Sequence, residues 1–545
     1  MDSKELYAKI TGPENLERAF VYACNERQHD FFHDPTEIEW AKTNRDAIIS
    51  SISEILKDPK SYTQQTSFAY FPPKTNICRR RMIFIPFKDL VIRYAFVTVL
   101  AEQLDIQLSE NCFANRRAKG KSIKKHLLQN YGNESWPRFV DWQKEMTPKY
   151  KFMIKTDISS FYDSVSHKYL IKKVTESLNI KAGSDVIKLF ENILKVKVAM
   201  YGHHPGSQIR PETMRQGLVI GCGTDGFLAN IYLKDVDELM ATKKVVFGRY
   251  NDDMKIFSND RKELDDAVLL LQKSLLTLGL NLNSGKTRLA SNDKEKEELR
   301  SKAGDYYHYG DAVVEMPNKK FEKFLDKHFA DVKQFTSASE IKDDGDGRDF
   351  CKFLSAQSNS KKGKIKMEER ALWQVEALGN IFKNFAGASK HASWLIVQSS
   401  FFDEVKPQVA KRAVEILAET LLDPKINSYN RYRILYFLIN SRNKNNNYQP
   451  YLKRFLPHNK DWFVDLCKQF LSEPAIECNI IAIQTLRTLG FGKDEISQFV
   501  AKHCIKPLAQ PIENTLHHIS EKTEVQVPEI VELDVSEVED ISGYF

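Results

Sequence analysis

At 545 residues and 42% hydrophobic content, the chain is long enough for two to four domains with real cores, and a multi-domain soluble protein is expected. Its formal charge of +7 is unevenly spread, because residues 511–545 hold nine acidic residues and one Lys, which leaves +15 on residues 1–510. A basic body of this kind suits a polyanionic partner. The eight cysteines form no C-x-x-C pair and share no zinc-like spacing with His, so they read as reduced thiols of a cytoplasmic protein. The opening Met1-Asp2-Ser3-Lys4-Glu5-Leu6 lacks the apolar core of a signal peptide, and no uninterrupted apolar run approaches about eighteen residues. Secretion, membrane spanning and a membrane partner are not expected.

Residues 1–70 read as a helical lead-in. Its clearest helix runs from Pro35 to Leu56, with Ile38, Trp40, Ala41, Ile48, Ile49, Ile52 and Ile55 on one broad face. Pro72 and Pro73 end it. The cluster Arg79-Arg80-Arg81 then runs into the alternating stretch Met82-Ile83-Phe84-Ile85, which either holds phosphate by charge-assisted hydrogen bonds or solvates a strand edge. The basic loop from Phe113 to Ser122, with Gly120 inside it, leads into a helix expected to start near Ser122 and is a second candidate phosphate contact. Lys151 to Thr156 reads as a strand that delivers Asp157 at its C-terminal end, where ligands gather in α/β sheets. Asp163, past the following turn, reads as a local cap.

Gln216 to Leu233 is a Gly-rich loop feeding a helix, with Asp225 as its expected N-cap. Val245 to Phe257 sets Tyr250-Asn251-Asp252-Asp253 between two apolar runs, a β-hairpin with two carboxylates at its turn. Adjacent carboxylates repel unless a cation or hydrogen-bond donors offset the charge, so the pair is either turn chemistry in water or faces a divalent metal. A helix from Lys262 to Leu278 and a tight loop presenting Lys286 follow.

In this order and at these distances the pieces resemble the fingers and palm of reverse transcriptases, over residues 74–290 or about 40% of the chain. Asp157 with Phe161 and Tyr162 resembles the first catalytic strand motif, and Tyr250-Asn251-Asp252-Asp253 the Tyr-x-Asp-Asp box of the catalytic hairpin. The resemblance implies Asp157, Asp252 and Asp253 as catalytic and metal residues for two magnesium ions, with manganese as a substitute and Asp253 the weaker or indirect ligand. It implies Lys74 and Arg81 as cations that grip the incoming triphosphate, Gln216 and Gly217 as nucleotide contacts, and Lys286 as an acid for pyrophosphate. Tyr162 falls where the family excludes a 2′ hydroxyl, which implies dNTPs as substrates and DNA as product. Asn251 stands where Ala is usual in bacterial relatives. The Gly-rich segment is similar to the longer form of retron and defence enzymes but has Val219 for Pro and Asp225 for Ser. In the family this loop contacts template and nucleotide, so the departure speaks against ordinary template copying.

After the palm, Tyr306-Tyr307-His308-Tyr309-Gly310 is a weak stand-in for a primer grip, no conventional thumb is evident, and Asp343 to Asp349 reads as a polar loop rather than a calcium site. From Phe321 to Cys504 the expected helices are Ala371–Phe385, Ala392–Phe402, Gln408–Leu422, Tyr429–Ser441, Trp462–Leu471 and Ala475–Leu489, at a HEAT-like spacing. This resembles the helical domain of abortive-infection reverse transcriptases of antiphage defence. That likeness implies template-independent DNA synthesis primed from a protein tyrosine, in trimers or hexamers, with a non-coding RNA as an optional partner. No motif identifies the priming residue; Tyr544, in the acidic tail, is a candidate by accessibility alone.

The expected fold is α+β, reverse-transcriptase fingers and palm followed by an all-α HEAT-like repeat domain. The expected boundaries are 1–70 for the lead-in, 71–315 for fingers and palm, 320–510 for the helical repeats and 511–545 for a disordered tail. The alternatives are RNA-templated cDNA synthesis and, in a different class, a catalytically quiet nucleic-acid-binding scaffold.

Overall fold

The apolar runs on either side of Asn251-Asp252 pair as antiparallel strands. In the computed structural model, which describes residues 2–29, 32, 34–75, 77–120, 122–129, 134–200, 211–301, 330–359, 371–401, 405–440, 452–504 and 510–519, the chain divides into two compact units. The first comprises residues 1–69, 83–199 and 210–307, and the second residues 70–82, 200–209 and 308–545.

In the first unit, helices α1 (Ser3–Thr11), α2 (Pro13–His29), α3 (Pro35–Thr43) and α4 (Arg45–Ile55) form the lead-in. The helix expected over Pro35 to Leu56 is two helices, because Asn44 leaves helical geometry and its side-chain amide caps the Trp40 carbonyl at 2.9 Å. The largely buried α5 (Phe87–Leu104) packs on α2. One sheet has the order β2-β1-β4-β5, from β1 (Thr66–Tyr70), β2 (Met82–Phe84), β4 (Lys197–Ala199) and β5 (Glu212–Thr213), with β1 and β4 parallel. The helix expected from Ser122 is a single 3-10 turn ending at Lys124.

The second sheet is the palm, with order β6-β7-β3-β8 and all pairs antiparallel. It comprises β3 (Phe152–Thr156), β6 (Val246–Tyr250), β7 (Asp253–Ser258) and β8 (Arg288–Ala290). Thr156 of β3 registers with Met254 of β7, and Tyr250 of β6 with Asp253, so the end of β3 and the hairpin turn lie at one edge. Met153, Phe257 and Ala290 are buried on this sheet, and each large apolar side chain so placed is worth roughly 1.5–3 kcal/mol. Helices α10 (Gly223–Ala241) and α11 (Arg261–Thr277) back it. Helix α6 (Trp136–Met146) brings Trp136 and Phe139 against Tyr250, whose hydroxyl lies 2.8 Å from Ser135 Oγ. Gly248 admits the Trp142 ring, because a Cβ there would lie 2.6 Å from it.

The helix after the Gly-rich loop starts at Gly223 with Cys222 at the cap position, so Asp225 is not its N-cap. Asp225 is fully buried inside the first turn. It pairs with Arg93 Nη1 at 3.0 Å and accepts from the Val219 N–H at 2.6 Å. At the far end of α10, Asp237 takes Arg249 in a fork at 2.7 and 2.8 Å, while Arg249 Nη1 also donates to Asn230 Oδ1 at 2.8 Å.

In the second unit the helices are α13 (Asp344–Asn359), α14 (Leu372–Asn384), α15 (Ser389–Phe401), α16 (Pro407–Leu422), α17 (Ser428–Asn440), α18 (Leu452–Ser472), α19 (Ile476–Thr488), α20 (Lys493–His503) and α21 (Gln510–His518). Alternate helices pack on one another, α14 on α16, α15 on α17 and α17 on α19, as stacked helix pairs require. Helix α18 begins ten residues before the expected Trp462. The Asp343–Asp349 stretch is a helix start rather than a loop, with Asp343 Oδ1 accepting from Gly345 and Asp346 N–H at 2.6 and 2.9 Å. Tyr70 to Met82 groups with this unit as a tight hairpin. Lys74 and Thr75 N–H donate to the Cys78 carbonyl, Arg80 N–H donates to Pro72, and the Tyr70 ring stacks on Tyr429 at 6.3 Å. The expected primer-grip stand-in at residues 306–310 and the tail from residue 520, Tyr544 included, lie outside the described residues.

Breaking the Arg249–Asp237 pair strands a buried charge. Arg249→Met should therefore cost about 3–5 kcal/mol in urea denaturation, and the double variant with Asp237→Leu should recover most of it. Equal losses in the two variants would show that this pair is not the interaction responsible.

Candidate active site

The β3 strand ends at Thr156, so Asp157 is the first residue beyond the sheet, and its carbonyl accepts from the Asn283 N–H at 2.7 Å. That bond, with Ser159 N–H on the Asn281 carbonyl at 2.9 Å, docks the 281–287 loop on the strand end and brings Lys286 to the site. The Lys286 ammonium donates to Asp157 Oδ2. Asp157 Oδ1 is buried and has no hydrogen-bond partner among the described residues.

On the other side of the edge, Tyr250 ends β6 and Asp253 begins β7, so Asn251 and Asp252 form a two-residue turn. Asn251 has φ +53°, a left-handed conformation that Asn tolerates, and its Oδ1 accepts from Asn115 Nδ2 at 2.5 Å. The turn places Asp252 within hydrogen-bond reach of Asp157. Burial first, and then the Asp157 charge, push the Asp252 carboxyl up to about 7. Asp253 faces a different partner, since the ammonium of Lys255, fully buried, donates to Asp253 Oδ1 at 2.6 Å. Among the described residues no group of three His, Cys, Asp or Glu side chains forms a metal-ligating cluster.

Two carboxylates converge, then, with one oxygen orphaned, and this donor set fits a divalent cation. Oxygen ligands suit magnesium or manganese, and a cation between them would remove both the repulsion and the unpaired lone pairs.

Tyr162 lies in the short helix α7 (Phe161–Ser164), and burial followed by the charge of Asp252 raises its phenol. Its backbone is riveted to the Gly-rich loop. Leu218 N–H donates to the Tyr162 carbonyl and Gly217 N–H to the Val165 carbonyl, both at 2.7 Å. Gly217 has φ +90°, and a Cβ on it would lie 3.1 Å from the Tyr162 oxygen, so Gly is required by both conformation and space. Gln216 is exposed, its amide 3.5 Å from the Asp163 carbonyl. The structure therefore brings together Asp157, Asp252 and Lys286, and separately joins Tyr162 to Gln216 and Gly217. Asp253 is engaged by Lys255. Lys74 and Arg81 belong to the hairpin grouped with the second unit, Lys74 exposed and Arg81 partly buried.

Residues with no reading in the sequence also shape the site. His167 Nε2 donates to the Gly217 carbonyl at 2.7 Å, which fixes the proton on Nε2 because a carbonyl only accepts. Lys255 left one signal, a lone Lys inside the otherwise apolar run Met254 to Phe257. His167 left none.

The Asp252 shift sets a pH dependence. A folded-state value above the unfolded one of about 3.9 means stability is greatest below that value and is lost as pH rises through about 7. Without divalent ions, Asp252→Asn should melt above the parent protein at pH 8, by on the order of a few kcal/mol, with the difference narrowing toward pH 5. A difference independent of pH would contradict the like-charge pair.

Residues 88–341 match the family model described as Reverse transcriptase (RNA-dependent DNA polymerase). No curated protein matches. Similar solved structures include apo telomerase from Candida tropicalis truncated from its C-terminal domain, at 15% identity over 43% of this chain and 51% of that one, with a TM-score of 0.32. Another is telomerase from Candida albicans in complex with a TWJ fragment of telomeric RNA, at 12% identity over 68% of this chain and 65% of that one, with a TM-score of 0.33. The chain thus spans about half the length of the first and just under two thirds of the second. Among the described residues no helix is long and apolar enough to cross a membrane. Residues 88–341, which carry the carboxylate pair at the palm edge, thus match a reverse transcriptase domain.

Proposed function

We propose that the chain is a magnesium-dependent DNA polymerase of reverse-transcriptase type that acts in the cytoplasm in bacterial antiphage defence, extending single-stranded DNA from dNTPs without a template and from a protein hydroxyl. The observation that carries the catalytic part is the convergence of Asp157 and Asp252 with an unpartnered, buried carboxylate oxygen. A scaffold that only bound a polyanion would gain nothing from carboxylates aimed at it. The defence reading rests on the combination of a reverse transcriptase domain with a stack of helix pairs after it, as in the abortive-infection enzymes.

In this reading Asp157 and Asp252 hold the metal, which when bound supplies a lowered pKa for the attacking hydroxyl and charge neutralisation for the leaving pyrophosphate. Tyr162 closes the sugar pocket against a 2′ hydroxyl, and the bonds from Gly217 and Leu218 hold it in place. Lys286, which donates to Asp157, gives up a proton to pyrophosphate in this reading. Lys74 and Arg81 neutralise the triphosphate, Arg81 as a fork and Lys74 as a point charge. A homo-oligomer, trimer or hexamer, is the assembly that accompanies this activity, and a bound non-coding RNA is compatible with it.

A second reading, RNA-templated cDNA synthesis, is favoured by one observation. Asp225, whose departure from the family pattern spoke against template copying, is buried on Arg93 and packs the loop from inside. The matching family is, moreover, described as RNA-dependent.

Purified protein incubated with magnesium and each labelled dNTP, with and without added RNA, separates these readings when products are run before and after proteinase. Label that stays with protein and needs no template is the expected result, with Asp252→Asn lowering incorporation by about a hundredfold or more. Free cDNA copying the RNA would replace the first reading with the second. Absence of incorporation under every condition would favour the binding scaffold.

A further inference from the structure

Three acidic residues lie at the palm edge, yet the chain treats them differently. Asp157 and Asp252 face one another, while Asp253 is claimed by Lys255 at 2.6 Å. Residues 253 and 255 lie on the same face of β7, where alternation brings i and i+2 side by side. The Lys255 side chain is 0% exposed, so its ammonium has no water to fall back on, whereas Asp253 is 28% exposed. Moving the carboxylate onto a metal would strand a buried cation, at a cost comparable to breaking any buried ion pair. A Phe139 ring 5.7 Å from the ammonium adds a second contact that fixes its position.

Resting on the reading of Asp157 and Asp252 as the metal-facing pair, we infer that Lys255 is a positioning residue that withholds Asp253 from the metal, so that the resident cation is held by two side-chain carboxylates rather than three. Lys255 thereby neutralises Asp253, and a divalent cation meets a site of lower negative charge and weaker intrinsic affinity. Weak binding of this kind leaves room for substrate phosphate oxygens to complete the coordination, which is how magnesium is usually shared between protein and nucleotide.

The test reads manganese binding directly, by the loss of the free-ion electron paramagnetic resonance signal, with no nucleotide present. Asp157→Asn and Asp252→Asn should each weaken manganese binding about tenfold or more. The double variant Lys255→Met with Asp253→Asn removes the pair without changing net charge and should stay within about twofold of the parent. Lys255→Met alone frees Asp253 and should tighten binding several-fold. Should the double variant fail to fold, Asp253→Glu keeps both charges and still reaches Lys255, and it too should stay within about twofold. Weakening of the double variant or of Asp253→Glu to the level of Asp252→Asn would overturn the inference while leaving the metal site intact. Manganese binding insensitive to Asp157→Asn and Asp252→Asn would remove the metal-site reading itself, and the inference with it.

Discussion

Helix α10 is the member on which the palm depends, and what fixes it is a set of buried polar bonds rather than its apolar surface. The helix is buried along most of its length, and an apolar cylinder inside a core can rotate or slide at modest cost. Asp225 on Arg93 at one end and Asp237 on Arg249 at the other remove that freedom, with Asn230 donating at 2.7 Å to the Ala114 carbonyl between them. Such pairs add little net stability over apolar replacements, but an unpaired member is costly, so only one register is tolerated. Arg249 is three residues before Asp252. The position of the Asn251-Asp252 turn is therefore inherited from α10.

Within that frame the site is held against its own electrostatics. Folding buries Asp252 beside Asp157, which opposes ionisation of Asp252, and the chain sets Lys286 on Asp157 and Lys255 on Asp253. The two lysines differ in kind. Lys286 is about half exposed on a loop and can leave, whereas Lys255 is sealed in β7 and cannot. One offset can be withdrawn by a side-chain movement, and the other is fixed by burial.

Legibility in the sequence follows from what apolar periodicity encodes. The hairpin, the strand that leads into Asp157, and α11 within one residue at each end were readable, because each is a run whose pattern matches its own period. Periodicity carried the reading of Pro35 to Leu56 straight through Asn44, since the same face continues on both sides of the break. Polar partners were not readable at all. Asp225 meets Arg93 across 132 residues, and nothing local marks it as buried, so a Gly-rich loop suggested a cap instead. Lys255 and His167 were missed for the same reason, as each acts on an atom that only the fold supplies.

The Gly-rich loop shows how this changes the functional argument. Its sequence departs from the reverse-transcriptase pattern at Val219 and Asp225, and both side chains are buried. The groups that face Tyr162 and Val165 are backbone N–H groups of Gly217 and Leu218, which any residue at 219 or 225 would leave unchanged provided the packing beneath is satisfied. The loop thus meets Tyr162 and Val165 through its backbone, and the Arg93–Asp225 pair supports it from inside. A substitution in a ligand-binding loop is informative about ligands only when its side chain reaches them. Whether this domain copies a template must accordingly be decided by what its outward groups touch, which the loop's sequence departures do not address.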